Sequence, residues 1–351
     1  MKIIINIDGT CNEPSDAEEK KNLDDESISN ILRTHLLLGG NIDNEAMSIP
    51  GQKSLYYPGV GTRGNFFKRL FRSMFASLAP DVILKEITDD LEATWEPGDT
   101  LYVFGFSRGA AIARILCSQL AKDTRFPGIQ VEFLGVYDTV AAFGIPNLDS
   151  DEKPVSDVLF ENNAISPVIK NAVHLVALDE NRKAFRPTLM DKDPRVKEVW
   201  YPGVHSDVGG GYYIRGLSDI ALLYMIIEAE LHGLKFFDPE VIPDDNRSGL
   251  DQNGEPVEIS IDDLLFNPSV YGKIHYHMEW WRTAKTRAAR DAVVLDDGKV
   301  SGDRVELHPS VTIRAIEFGY KPIAVMNTKC QICGGDTMWN YPTCQTCLQS
   351  V

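Results

Sequence analysis

Gly105-Phe106-Ser107-Arg108-Gly109 sets a serine between two glycines, where the apolar residues 101–104 give way to an Ala-rich, apolar-periodic stretch from Ala110 onward. Strand, sharp turn and helix in that order lift a hydroxyl above a sheet edge, and the glycines let strand and helix approach closely. N–H groups at the start of such a helix, that of Arg108 first, can hold a developing oxyanion. A hydroxyl becomes a nucleophile only beside a base, and the base needs an acid to fix its tautomer. Two later stretches supply candidates. Residues 131–136 read as a strand that runs into Tyr137-Asp138, and His205 lies in the glycine-rich stretch Pro202-Gly203-Val204-His205-Ser206-Asp207-Val208-Gly209-Gly210-Gly211-Tyr212. The roles that follow are Ser107 as nucleophile, His205 as general base and then acid, and Asp138 as the carboxylate that orients the ring.

Other residues compete for these roles or add to them. Asp207 could be the acid, but it stands two residues from His205 and would need a strained local geometry. His174 and Asp179 are rivals within residues 171–185, which read as a helix and so favour structural roles. Asp8-Gly9-Thr10 follows the first apolar run. The N–H groups of Gly9 and Thr10 are candidates for the other half of an oxyanion hole. The same residues also suit a turn in which Asp8 and Thr10 bond the backbone. His35 reads as a packing or surface histidine.

A separate chemistry is written at the end of the chain. Cys330, Cys333, Cys344 and Cys347 form two Cys-x2-Cys pairs. Each pair presents two thiolates to one tetrahedral ion, so the expectation is one structural zinc with no open position for catalysis. A ribbon of this size has no core of its own and would be held folded by the metal. Trp339 and Tyr341 there suggest a surface for a protein partner or for the rest of the chain. Clustering of four of the six cysteines argues against a disulfide framework.

These residues need elements to position them. Residues 2–7 read as a first strand, and 29–38 as a helix ended by Gly39-Gly40. A second helix covers 81–95 and stops at Glu96-Pro97-Gly98-Asp99. Strands follow at 131–136 and 196–201, and a buried helix at 217–234 with Ser218 as N-cap. Residues 65–79 interleave phenylalanines with Lys68, Arg69 and Arg72. They read as an amphipathic helix packing its Phe side inward, with a lid or a lipid-touching surface as the alternative. Residues 235–300 read as loops and short strands with a basic helical piece around 283–290.

The totals exclude several classes. With 35 Lys and Arg against 51 Asp and Glu, the chain carries a formal charge of −16, which repels nucleic-acid backbones. No apolar run approaches the roughly 20 residues that span a bilayer. The first residues lack the pattern of a signal peptide, so the expected location is cytoplasmic, or outside by a route without a cleaved signal.

Ser107, Asp138 and His205 follow the chain order of an α/β-hydrolase triad. Together with Asp8-Gly9-Thr10, Gly59-Val60-Gly61-Thr62, Gly135-Val136-Tyr137-Asp138-Thr139-Val140, Leu178-Asp179-Glu180-Asn181-Arg182 and the late His308-Pro309-Ser310-Val311, they resemble the α/β-hydrolase family that includes type VI secretion phospholipase effectors. The resemblance implies a mostly parallel sheet flanked by helices and a serine esterase of acyl esters, phospholipids above all, with its triad at Ser107, Asp138 and His205. The cysteine tail departs from that family. The expected organisation is a hydrolase domain over residues 1–325, with its motifs at 3–234 and an accessory segment at 235–325, followed by a zinc ribbon at 326–351. The alternative is a non-catalytic or sensor module on the same scaffold, its ribbon docking a partner protein.

Overall fold

The computed structural model describes residues 1–10, 12, 14, 16, 26–59, 79–141, 165–251, 254–276 and 287–326. The expected zinc ligands Cys330, Cys333, Cys344 and Cys347, and nearly all of the Phe-rich stretch 65–79, lie outside them.

Seven parallel strands form the centre. In chain order, the elements up to the nucleophile turn are β1 (Lys2–Ile7), β2 (Glu26–Ser29), α1 (Asn30–Leu37), β3 (Gln52–Tyr57), α2 (Ala79–Thr94), β4 (Thr100–Phe106) and α3 (Arg108–Leu120). Beyond it come β5 (Val131–Tyr137), β6 (Ala172–Ala177), β7 (Val196–Tyr201), α4 (His205–Gly209), β8 (Gly210–Tyr212), α5 (Gly216–Leu231), β9 (Glu306–Leu307) and α6 (Pro309–Phe318). The main sheet runs β9-β7-β6-β5-β4-β1-β3, and every pairing in it is parallel. The strands β2 and β8 form a separate antiparallel pair.

Both faces of the sheet are covered. Ile3, Ile5 and Ile7 of β1 pack with Leu84, Ile87 and Leu91 of α2 and Ile112 and Leu116 of α3. Ile4 points the other way, into a core with Ile31, Leu32 and Leu36 of α1 and Leu222, Met225 and Ala229 of α5. This alternation along β1 is the two-residue period of a strand serving two cores. A third cluster joins Val176, Leu178 and Trp200 to Val311, Tyr320 and Ala324, so residues from the C-terminal part pack on the sheet.

The chain forms β1, then β3 on one side of it, then crosses to β4 on the other. In open parallel sheets such a reversal leaves a crevice at the carboxyl ends of the strands, where ligands bind. The turn Asp8-Gly9-Thr10 and Ser107 stand at those two strand ends.

Three expectations are corrected. Residues 171–185 are not a helix, because β6 occupies Ala172–Ala177 at the middle of the sheet. All six of its residues are buried, and a strand covered on both faces reads as an unbroken apolar run with no alternation to mark it. Helix α5 begins at Gly216, so Ser218 is inside its first turn and its hydroxyl donates to the Arg215 carbonyl at 3.1 Å. Of the basic piece at 283–290, residues 287–290 are not helical.

Candidate active site

The turn after β4 is built from small residues because backbone crowds it. A Cβ on Gly109 would stand 2.3 Å from the carbonyl oxygens of both Ile7 and Asp8, and one on Gly105 would stand 2.6 Å from the Ala110 Cα. Only glycine at both positions lets α3 sit against β1 and β4. Ser107 itself has φ 57° and ψ −122°, and its side chain makes no capping bond to α3. Its backbone is held on three sides. The Ser107 N–H donates to the Tyr137 carbonyl, and the Ser107 carbonyl accepts from Ala111 and Val140. A non-glycine residue held in this region stores on the order of 1–3 kcal/mol.

Asp138 follows β5 directly and also has positive φ, 39°. Among the described residues only four non-glycine positions do so, and two of them are Ser107 and Asp138. Strain of this kind concentrates where geometry is fixed for function.

The Asp138 carboxylate is fully buried and saturated. Its Oδ2 lies 2.5 Å from His205 Nδ1 and accepts from Arg290 Nη2 at 2.9 Å. Its Oδ1 accepts from Arg290 Nη1 at 2.7 Å and from the Ala177 N–H at 3.0 Å. Burial alone would raise this carboxyl. The Arg290 guanidinium and the His205 bond outweigh burial and hold it well below the usual carboxylate range.

His205 opens the short helix α4 just after β7. Its ring lies between Phe106, at 4.6 Å between centroids, and Phe185, edge-on at 4.9 Å. Phe106 is the residue before Ser107, so the imidazole stands against the nucleophile turn. With Nδ1 given to Asp138, Nε2 is the remaining nitrogen. It is buried and has no hydrogen-bond partner among the described residues. Burial pushes the imidazole below its ordinary value, more than Asp138 raises it. That direction favours the neutral ring, whose Nε2 lone pair can take a hydroxyl proton.

Each rival is occupied elsewhere. Asp207 pairs with His275 Nδ1 at 2.5 Å and accepts the Val204 N–H at 2.9 Å. Asp179 accepts from the Gly203 N–H, the Tyr320 hydroxyl and the Ile323 N–H. His174, on β6, accepts the Thr139 N–H at Nε2 and meets Glu198 through Nδ1 at 2.8 Å. These bonds brace the backbone on either side of Asp138 and His205. His35 is buried between Ser54 and the Asn41 carbonyl.

The turn after β1 is organised by Asp8, which is buried. It accepts from Ser29 at 2.6 Å, Tyr56 at 2.7 Å, Asn12 at 3.3 Å and the Gly9 N–H at 2.6 Å. The Gly9 N–H is thus spent on Asp8, and Gly9 is corrected from oxyanion donor to part of this knot. A buried carboxylate at a strand end collects the nearest donors. Thr10 keeps its place at the crevice, with its Oγ1 buried and without a partner among the described residues. Arg108 opens α3, whose first N–H groups precede any intrahelical acceptor.

Arg290 was not singled out by the sequence. It is one of several arginines in a basic stretch, and its partner lies 152 positions away, so no local spacing marks it. Glu180 carries no such local signal either. It accepts the His205 N–H at 3.4 Å and is paired with Arg182 at 2.7 Å.

The sequence profile of the family described as "T6SS, Phospholipase effector Tle1-like, catalytic domain" matches residues 1–124 and 118–228 of this chain. The chain belongs to that family. The matched residues of this Tle1-like domain hold Ser107, Asp138 and His205, and end before Arg290. An uncharacterized protein of Saccharomyces cerevisiae, YEL023C, is 25% identical over 255 residues, covering 56% of this chain and 34% of the yeast protein. Among solved structures, an uncharacterized protein from Pseudomonas aeruginosa aligns with TM-score 0.45 and 22% identity, over 68% of this chain and 47% of that one. The Tle1 effector bound to the VgrG spike of the type 6 secretion system aligns with TM-score 0.40 and 24% identity, over 60% and 51%. The chain therefore spans about a third of the yeast relative and about half of each solved chain. Among the described residues, no helix is long and apolar enough to cross a membrane.

Proposed function

We propose that this Tle1-like domain is a serine hydrolase of acyl esters, with a phospholipid or related lipid ester as substrate. The observation that carries the reading is the buried Asp138–His205 pair, packed against the residue before Ser107 with Nε2 unpartnered among the described residues. In this mechanism Nε2 takes the Ser107 proton as Oγ attacks the ester carbonyl. The tetrahedral oxyanion is met by N–H groups of Arg108 and Thr10, and collapse expels the alcohol, protonated by His205. Water then gives a proton to Nε2 as it attacks the acyl carbonyl, and collapse breaks the bond to Oγ, which takes that proton back from His205 as the acid leaves. Asp138 keeps the proton of the neutral ring on Nδ1 and stabilises the imidazolium without taking its proton.

Family membership supports the lipid substrate, since the profile is that of a phospholipase effector. A fluorophosphonate probe tests the mechanism. Wild type is expected to be labelled and Ser107→Ala not; absence of labelling in wild type would leave a binding module on a hydrolase scaffold. Mass spectrometry of a lipid extract before and after incubation identifies the ester class that is cut. We also propose, from spacing alone, one structural zinc held by Cys330, Cys333, Cys344 and Cys347.

A further inference from the structure

We propose that Arg290 is a positioning residue of the hydrolase: its guanidinium locks both oxygens of Asp138 and, by offsetting that charge, sets the pH below which His205 stops acting as a base. The proposal rests on the serine-hydrolase reading above. The structural ground is a bidentate fork, 2.7 and 2.9 Å, on the carboxylate that bonds the His205 ring. The same guanidinium donates to the Ala177 carbonyl at 2.8 Å and the Phe185 carbonyl at 2.5 Å. Phe185 is the ring set edge-on against His205. One side chain thus fixes the acid and the end of the loop that walls the base.

Arg290 comes from beyond the family-matched residues, and the Val325 N–H donates to its carbonyl at 2.8 Å. The C-terminal part of the chain therefore completes the site formed by the first 228 residues.

Both functions follow from the chemistry of the fork. Planar guanidinium matches carboxylate geometry and leaves the carboxylate no freedom to rotate. Its charge acts on His205 through Asp138. Two hydrogen bonds in series, 2.9 and 2.5 Å, place the cation about 5 Å from the ring. Among the described residues, the other charged groups facing His205 are Glu180, whose Oε2 faces the His205 N–H, and Arg182, paired with Glu180 and stacked on Phe185. Asp207, on α4 itself, is paired with His275. Glu180 and Arg182 offset each other and Asp207 is bonded to His275, so Arg290 is the cation that balances Asp138. Removing it makes the Asp138–His205 pair bind a proton more readily, wherever on the pair that proton resides.

The test is kcat/KM for a short-chain p-nitrophenyl ester across about pH 4 to 8, since its acid limb reports the free enzyme's base. Arg290→Gln is expected to move the acid limb upward by on the order of two pH units, the effect of a unit charge about 5 Å away at an effective dielectric constant of about 20. Arg290→Lys keeps the charge and loses the fork. It is expected to leave the limb within a few tenths of a unit while lowering kcat about tenfold. Equal losses in both variants at every pH, with an unmoved limb, would overturn the proposal and assign Arg290 to the fold alone. So would failure of both variants to yield a folded chain. A wild type with neither turnover nor fluorophosphonate labelling sinks the hydrolase reading itself, and is told apart because it needs no variant.

Discussion

Replacing Ser107 by glycine should abolish turnover and make the protein more stable than replacing it by alanine. Both variants lack the hydroxyl, so any difference between them belongs to the backbone. At φ 57° and ψ −122°, a side chain costs on the order of 1–3 kcal/mol, which alanine retains and glycine relieves. Against this, glycine carries more backbone entropy into the unfolded chain, about 0.5–1 kcal/mol. The net gain of glycine over alanine is about 1 kcal/mol, or roughly 2 °C in Tm for a chain of this size. Relaxation cannot hide the difference. The Ser107 N–H is tied to Tyr137 at 3.0 Å and its carbonyl to Val140 at 3.1 Å and Ala111 at 3.3 Å, so the residue stays in place after substitution. The assay is urea unfolding and thermal melting of the two variants side by side, with esterase activity as the check that both are inactive. An alanine variant that melts at or above the glycine variant would refute the claim that the nucleophile is held under strain.

Asp138→Asn should lower kcat by on the order of 10⁴-fold, because an amide nitrogen must then face either the Arg290 donors or the His205 Nδ1 proton. Unfolding measurements should show a loss of about 3 kcal/mol from the broken buried pair. His35 should give the fold an acid sensitivity. Burial lowers its imidazole from 6.5 to about 4, so its contribution is full above pH 6.5 and is lost as pH falls toward 4. The loss is up to about 3 kcal/mol, and the difference in urea midpoint between wild type and His35→Asn across that window measures it; parallel curves would refute it. The purified chain should hold about one zinc by elemental analysis, and Cys330→Ser or Cys344→Ser should lose it; metal-free wild type would remove the zinc assignment.

Ser107, Asp138 and His205 were legible as candidates because each stands in a local pattern. Gly105 and Gly109 flank the serine, Asp138 follows a strand-like stretch, and His205 lies in a glycine-rich stretch after another. Such patterns arise from nearest-neighbour sterics and from the sequence length of a strand, both of which the chain carries within a dozen residues. The element at 171–185 was misread for the converse reason. Burial of β6 on both faces erases the periodicity that would separate strand from helix, and its status comes from β5 and β7 lying on either side of it. His174 and Asp179 lost their rival claims the same way, since their partners Thr139, Glu198, Gly203 and Tyr320 are set by the fold. Only the tertiary structure brought Arg290 onto Asp138 and turned the Gly9 N–H toward Asp8. A guanidinium finding a carboxylate 152 residues away is a product of chain folding, and no spacing along the sequence encodes it.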